Sequence, residues 1–114
     1  MPELPEVESI KRSLSSNIVG QKLKNYKIYD HRTNRYNTKK PTINESLLAI
    51  SRKGKLLIFD FEDYSIIFHL GMSGRIQVND KKNKHTRARF YFDKDNVNFD
   101  DIRRFGFINI IKAE

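Results

Sequence analysis

A single stripe of helical period, followed by text that reads only as strands, limits what this chain can become. From Pro5 to Ile18 the apolar residues Val7, Ile10, Leu14 and Ile18 recur at three- and four-residue steps, which makes one apolar face on one helix. Pro5 suits the first helical turn, where its missing N–H is not needed, and Gly20 can take the left-handed cap position. Beyond Gly20 the period changes. Leu56–Phe61 and Tyr64–Leu70 are apolar runs separated by Glu62-Asp63, which predicts a hairpin, and Arg75–Val78 alternates. In Arg87–Asp93 the pattern sets Ala88, Phe90 and Phe92 on one face and Arg87, Arg89 and Tyr91 on the other. Lys94-Asp95-Asn96 reads as a turn and Phe105–Ile111 as a last apolar strand. Segments 31–45, which is polar, and 79–86, with Lys81, Lys82, Lys84 and His85, read as loops. Short strands at this spacing predict an α+β fold that is mainly β, a β-sandwich or flattened barrel flanked by an N-terminal helix, in preference to βαβ units.

The whole chain, residues 1–114, reads as one domain. A domain of this size buries roughly 60–70% of its unfolded surface and holds a core without staples. With no Cys, disulfides and thiolate metal sites are excluded. No apolar run reaches transmembrane length and the N-terminus is acidic and helical, so the expectation is a soluble, intracellular chain with no membrane partner. Lys and Arg number 22 against 14 acids, a net charge of +8. The bland reading of that excess is solubility; the sharper one is a polyanionic partner, nucleic acid first.

The N-terminus reads MPELPEV. An initiator Met is normally removed when a small residue such as Pro follows, and that would leave Pro2 with a free secondary amine. An α-amino group titrates near about 8, against about 10.4 for Lys, so far more of it is unprotonated at neutral pH. A secondary amine attacking a sugar or aldehyde carbon gives an iminium directly, and the iminium is an electron sink for elimination. Glu3 and Glu6 set two carboxylates beside it for proton transfer. The helix N-terminus just beyond Pro2 lowers the amine pKa while the two carboxylates raise it, and the sequence does not rank these opposed effects.

Three further segments carry chemistry. Ser51–Lys55 reads SRKGK ahead of an apolar strand, a basic strand end. His69–Arg75 reads HLGMSGR, where two glycines flank Met72 and set a long apolar side chain at a loop tip. Phe99–Gly106 reads FDDIRRFG. Its paired arginines can bridge phosphates or replace a base edge while the Phe wedges into a stack, or else Asp101 merely pairs with one of them at the surface.

Together MPELPEV, HLGMSG and D-x-RRFG, in this order and spacing, closely resemble the formamidopyrimidine-DNA glycosylase family. Leu4 and the helix text VESIKRSL look more like its formamidopyrimidine branch than its endonuclease VIII branch. The resemblance runs the length of the chain and covers the family's N-terminal catalytic domain. It implies Pro2 as the nucleophile at C1′ of the damaged nucleotide and Glu3 as the acid that protonates the sugar and shuttles protons. It implies Lys55 as a phosphate contact that assists elimination, and His85 as a second phosphate contact. Arg103 would touch DNA opposite the lesion, and Met72, Arg103 and Phe105 would fill the hole left by the everted base. The implied activity is base excision repair: release of oxidised purines such as 8-oxoguanine and formamidopyrimidines, then cleavage of the abasic strand by β/δ-elimination. The implied partner is double-stranded DNA with oxidised bases or abasic sites, met by a monomer in a DNA-containing compartment.

Two departures stand out. Ile102 occupies a position where Pro often precedes RRFG. The family's helix–two-turns–helix element and four-Cys zinc finger find no counterpart here, so no cofactor is expected in these residues and half of the DNA clamp is missing. The expectation is weak activity for these 114 residues taken alone. The competing readings are a non-enzymatic module that binds damaged DNA, or an inactive fragment, and a plain β-sandwich interaction domain. Intact Pro2, Glu3 and Lys55 weigh against a decayed module, which need not keep them.

Overall fold

Helix α1 (Leu4–Ile18) opens the fold, which a computed structural model describes over residues 4–113, with side chains from Pro5 onward. Val7, Leu14 and Ile18 are buried and Ile10 packs on the same cluster, as the stripe requires. The helix stops where Gly20 turns to φ +95°, a left-handed value that strains a residue with a Cβ; the next N–H, of Gln21, donates to Ile18 O at 3.0 Å. α1 lies against strand β2 (Ala49–Lys53). Glu8 fastens the two elements: its Oε1 accepts from Arg52 Nε at 2.9 Å, while Lys11 Nζ and Arg12 Nε each stand 3.3 Å from Oε2. The bond from Arg52 is the main reason the Glu8 carboxyl titrates below its usual range.

The other strands are β1 (Leu23–Ile28), β3 (Leu56–Asp60), β4 (Tyr64–His69), β5 (Gly74–Val78), β6 (Thr86–Phe92), β7 (Asn96–Asp101) and β8 (Phe107–Lys112). They form two four-stranded antiparallel sheets, one in the order β1-β6-β7-β5 and the other β2-β3-β4-β8. The sheets face each other across an aromatic core centred on Phe68, whose ring lies 4.8 Å from Phe59, 5.8 Å from Phe90 and 5.9 Å from Phe99. The sandwich with an N-terminal helix is therefore the architecture that the strand pattern predicts.

Several local expectations need correction. The last strand begins at Phe107, so Phe105 sits in the preceding loop and is exposed. β7 starts at Asn96, inside the expected turn, and runs through the centre of its sheet with Val97, Asn98, Phe99, Asp100 and Asp101 all buried. Arg87 does not point outward. The pairing of β6 with β7 slips between Thr86 and Ala88, and this bulge leaves Thr86, Arg87 and Ala88 buried in succession. Segment 31–45 is tied down as well as polar. It holds a 3₁₀ turn at His31–Thr33, and Arg35 and Thr38 donate backbone N–H groups to Ile108 O and Ile110 O at 2.8 and 2.9 Å.

Candidate nucleic-acid interface

One end of the second sheet gathers the motifs. Lys53 pairs with Leu56, Leu56 with His69 and His69 with Phe107, so these four residues make the terminal rung. Three connections spring from it: the two-residue turn Gly54-Lys55, the turn 70–73 after β4, and the loop 102–106 before β8. Lys55 thus shares an end of the sandwich with Met72, Arg103 and Phe105, which the sequence leaves far apart.

The turns of Met72 and Phe105 touch. Gly71 has φ +59°, and a Cβ there would stand 2.9 Å from Gly106 N and 3.0 Å from Phe105 C, so only glycine permits the approach. A buried carboxylate, that of Asp101, joins the two segments. Ser73 Oγ–H donates to its Oδ1, Gly106 N–H donates to its Oδ2 at 2.7 Å, and Arg103 N–H donates back to Ser73 Oγ at 3.2 Å. Asp101 is 1% exposed and spends its acceptors on these bonds, so it is not the surface ion-pair partner that the sequence allowed. Arg104 makes the ion pair instead, to Asp30 Oδ2 at 2.8 Å, and adopts φ +60°. Among the described residues the Arg103 guanidinium has no ion-pair or hydrogen-bond partner. Met72 is left 48% exposed and Phe105 57%, beside exposed Ile102. Two apolar side chains and a cation, held on immobilised backbone and turned to solvent, are equipped to enter a stack of bases.

His85 lies at the neighbouring end of the first sheet. Its C=O accepts from Asp101 N–H at 2.9 Å and its N–H donates to Asn83 Oδ1 at 2.8 Å, which leaves the half-buried ring at the loop surface. Glu6 is exposed on the first turn of α1 and shares with Met72 and Ile102 the lining of a groove of about 770 Å³ between α1 and β5. Pro2 and Glu3 lie outside the described residues.

Sequence reasoning missed the residues that organise this end. Ser73 and Asp101 were visible only as parts of motifs, and nothing in the text around Asp30 marks it as a partner of Arg104. It also missed a stacked group on the terminal rung. His69 lies flat on Phe107 with ring centroids 4.0 Å apart and its Nε2 meets Asn109 Oδ1 at 2.7 Å, while the Arg35 guanidinium sits 4.7 Å from the Phe107 centroid.

A β-sandwich whose motif-bearing turns converge beside an N-terminal helix matches one family. The model of the formamidopyrimidine-DNA glycosylase N-terminal domain matches residues 1–108. The chain is 40% identical over 124 residues to the formamidopyrimidine-DNA glycosylase of Rickettsia conorii, covering all of this chain and 45% of that protein. It is 31% identical over 122 residues to that of Halalkalibacterium halodurans, covering 99% of this chain and 44% of that protein. The Lactococcus lactis formamidopyrimidine-DNA glycosylase bound to DNA containing an abasic site superposes with a TM-score of 0.88 at 32% identity, over 96% of this chain and 45% of that one. MutM in complex with DNA containing carbocyclic 8-oxo-G gives a TM-score of 0.89 at 32% identity, over 98% and 45% of the two chains. The chain belongs to the formamidopyrimidine-DNA glycosylase family, matches its N-terminal domain, and spans a little under half the length of these relatives.

Proposed function

We propose that this chain carries the catalytic N-terminal part of a bifunctional DNA glycosylase/AP lyase that excises oxidised purines, such as 8-oxoguanine and formamidopyrimidines, in base excision repair. The observation that supports it most is the contact between the Met72 turn and the Arg103–Phe105 loop, at the same end of the sandwich as Lys55. An enzyme that attacks C1′ must turn the nucleotide out of the duplex, and unstacking costs a few kcal/mol unless something fills the gap. Met72, Arg103 and Phe105 are the filling unit in this reading. The unprotonated Pro2 nitrogen attacks C1′, the C1′–N bond to the base breaks, and the base leaves with a proton delivered through the acid. Glu3 protonates the ring oxygen so that the sugar opens and an iminium forms at C1′. Loss of a C2′ proton then expels the 3′-phosphate, and a second elimination expels the 5′-phosphate. Glu3 and Glu6 serve as proton carriers, and Lys55 and His85 hold phosphate.

The family's zinc ion does not fit these residues. The sequence has no Cys, and among the described residues no group of three His, Asp or Glu converges, so no step is assigned to a metal. The 114 residues, acting as a monomer, present one face of the clamp and the wedge. Attack on a pre-formed abasic aldehyde needs no base extrusion, so nicking of abasic duplex should exceed release of 8-oxoguanine by a wide margin when both are measured on this chain. Efficient release of 8-oxoguanine by residues 1–114 would contradict this division of labour, and absence of both activities from Met1-free protein would contradict the enzymatic reading.

A further inference from the structure

On the first sheet's flank a second cationic feature opens beside the wedge loop. It is a cleft of about 420 Å³ whose charged lining, among the described residues, is Arg32, Lys82, Lys84, Arg87 and Arg104 against the single carboxylate of Asp30, with His31 also at its wall. That carboxylate is already committed. Arg32 reaches Oδ1 through Nε at 3.1 Å and Oδ2 through Nη2 at 3.2 Å, and Arg104 Nε lies 2.8 Å from Oδ2. Among the described residues Lys82, Lys84 and Arg87 are therefore left without an ion-pair partner in the cleft.

The floor is the most telling part. Arg87 is 6% exposed, placed there by the β6 bulge, and its Nε–H donates to the Asp101 carbonyl at 2.9 Å. No carboxylate lies within ion-pair distance of it among the described residues. Burial, and then the neighbouring Arg104, press its pKa below the usual arginine value. A buried cation without a partner is expensive, and one that lines an open cleft is a fixed half of an ion pair. The rim is also set: Lys82 Nζ sits 4.7 Å from the centroid of the Tyr29 ring, which restrains an otherwise free ammonium.

We propose that this cleft binds one backbone phosphate of duplex DNA, with Arg87 at its floor and Lys82 and Lys84 at its rim. The assignment rests on the DNA reading given above. Phosphate fits the chemistry, because guanidinium groups offer forked N–H donors that match its oxygens. DNA is the source that the location favours. Arg104 lines the cleft and stands in sequence between Arg103 and Phe105, so a phosphate held here lies beside the wedge. The contact fixes where the loop enters the duplex and carries no information about base sequence.

Two measurements on the full chain test it, both using Lys82→Gln/Lys84→Gln, since both side chains are exposed, with Lys112→Gln at the far end of β8 as control. In an NMR titration with inorganic phosphate, against sodium chloride at equal ionic strength, the Arg87 Nε–H and the Thr86 and Arg104 amides should shift saturably. The double variant should lose the saturation. In duplex binding followed against salt, the double variant should lower the slope of log K on log[salt] by about two, and the control should not. Absence of saturable shifts overturns the anion site. Duplex affinity with an unchanged slope in the double variant overturns its assignment to DNA. Saturation by phosphate in a chain with no duplex affinity at all overturns the DNA reading while leaving the anion site.

Discussion

Replacing Asp101 by Asn tests how the wedge is held. The carboxylate accepts from Ser73 Oγ–H and from Gly106 N–H, the latter at 2.7 Å, with almost no exposure to water. Asn keeps the shape but has one neutral acceptor oxygen and one NH₂, so one of the two donors loses its acceptor and the other keeps only an uncharged one. A hydrogen bond to a charged group contributes about 1.5–3 kcal/mol, and a neutral one about 1 kcal/mol. The loss should be about 1–2 kcal/mol, because the Ser73 hydroxyl can turn to accept from the new amide and recover part of it. Ser73→Ala alone removes the bond to Asp101 Oδ1 and, with it, the acceptor of Arg103 N–H. In a cycle with Asp101→Asn the pair should couple by about 1 kcal/mol or more, since the groups touch. Urea unfolding of the four proteins measures this directly, read as midpoint shifts at constant slope. The same substitution should slow reactions that need a base turned out more than it slows nicking of an abasic site. A loss below about 0.5 kcal/mol, within the range of an ordinary surface change, would refute the idea that Asp101 joins the two turns.

Asp30 gives a pH signature. Its side-chain bonds from Arg32, chiefly, hold the carboxyl at about 2 against an ordinary 3.8. A folded pKa below the unfolded one means stability that is present in full above the unfolded value and is lost as pH falls through the folded one. Stability should therefore drop between about pH 4 and pH 2, by about 1–2 kcal/mol once solvent screening of the exposed Arg32 and Arg104 is allowed for, and Asp30→Asn should flatten that portion of the curve; an unchanged acid limb in the variant would show that the pair is idle. Truncating Met72 or Phe105 to Ala should impair action on duplex more than on single-stranded substrate, because only the duplex needs its stack opened. Equal impairment on both would remove them from the wedge. Lys55→Ala should weaken binding to all DNA sequences alike and reduce the salt slope by about one, as a phosphate contact does. A change in lesion preference at constant slope would count against that role.

The helix and the β3–β4 hairpin were legible because each element has one buried face, so period alone locates them. β7 was not. It is a central strand whose Asn98 and Asp100 are buried along with Val97 and Phe99, and a pattern that sends polar residues outward cannot find it. Asn98 repays its burial through partners distant in sequence, accepting from Arg89 Nε at 2.8 Å and donating to Asp80 O at 3.1 Å. The inward turn of Arg87 depends on a bulge, which leaves no mark in a period of two. Of the candidate site, the motif residues were legible as types and as order. Their meeting was not, because it depends on a strand register, on two glycine backbones in contact, and on the Asp101 carboxylate. Asp30 was invisible for the same reason: its partner Arg104 lies more than seventy residues away along the chain.

The central claim concerns the terminal amine, and covalent capture tests it most directly. Met1-free chain is incubated with duplex carrying an abasic site in the presence of borohydride, and the adduct is digested and mapped by mass spectrometry. Reduction of the iminium should yield a stable tertiary amine that maps to Pro2, and the same chain with Met1 retained should give no adduct at Pro2. Equal capture with Met1 in place, or an adduct that maps to Lys55 or another lysine, would contradict the account.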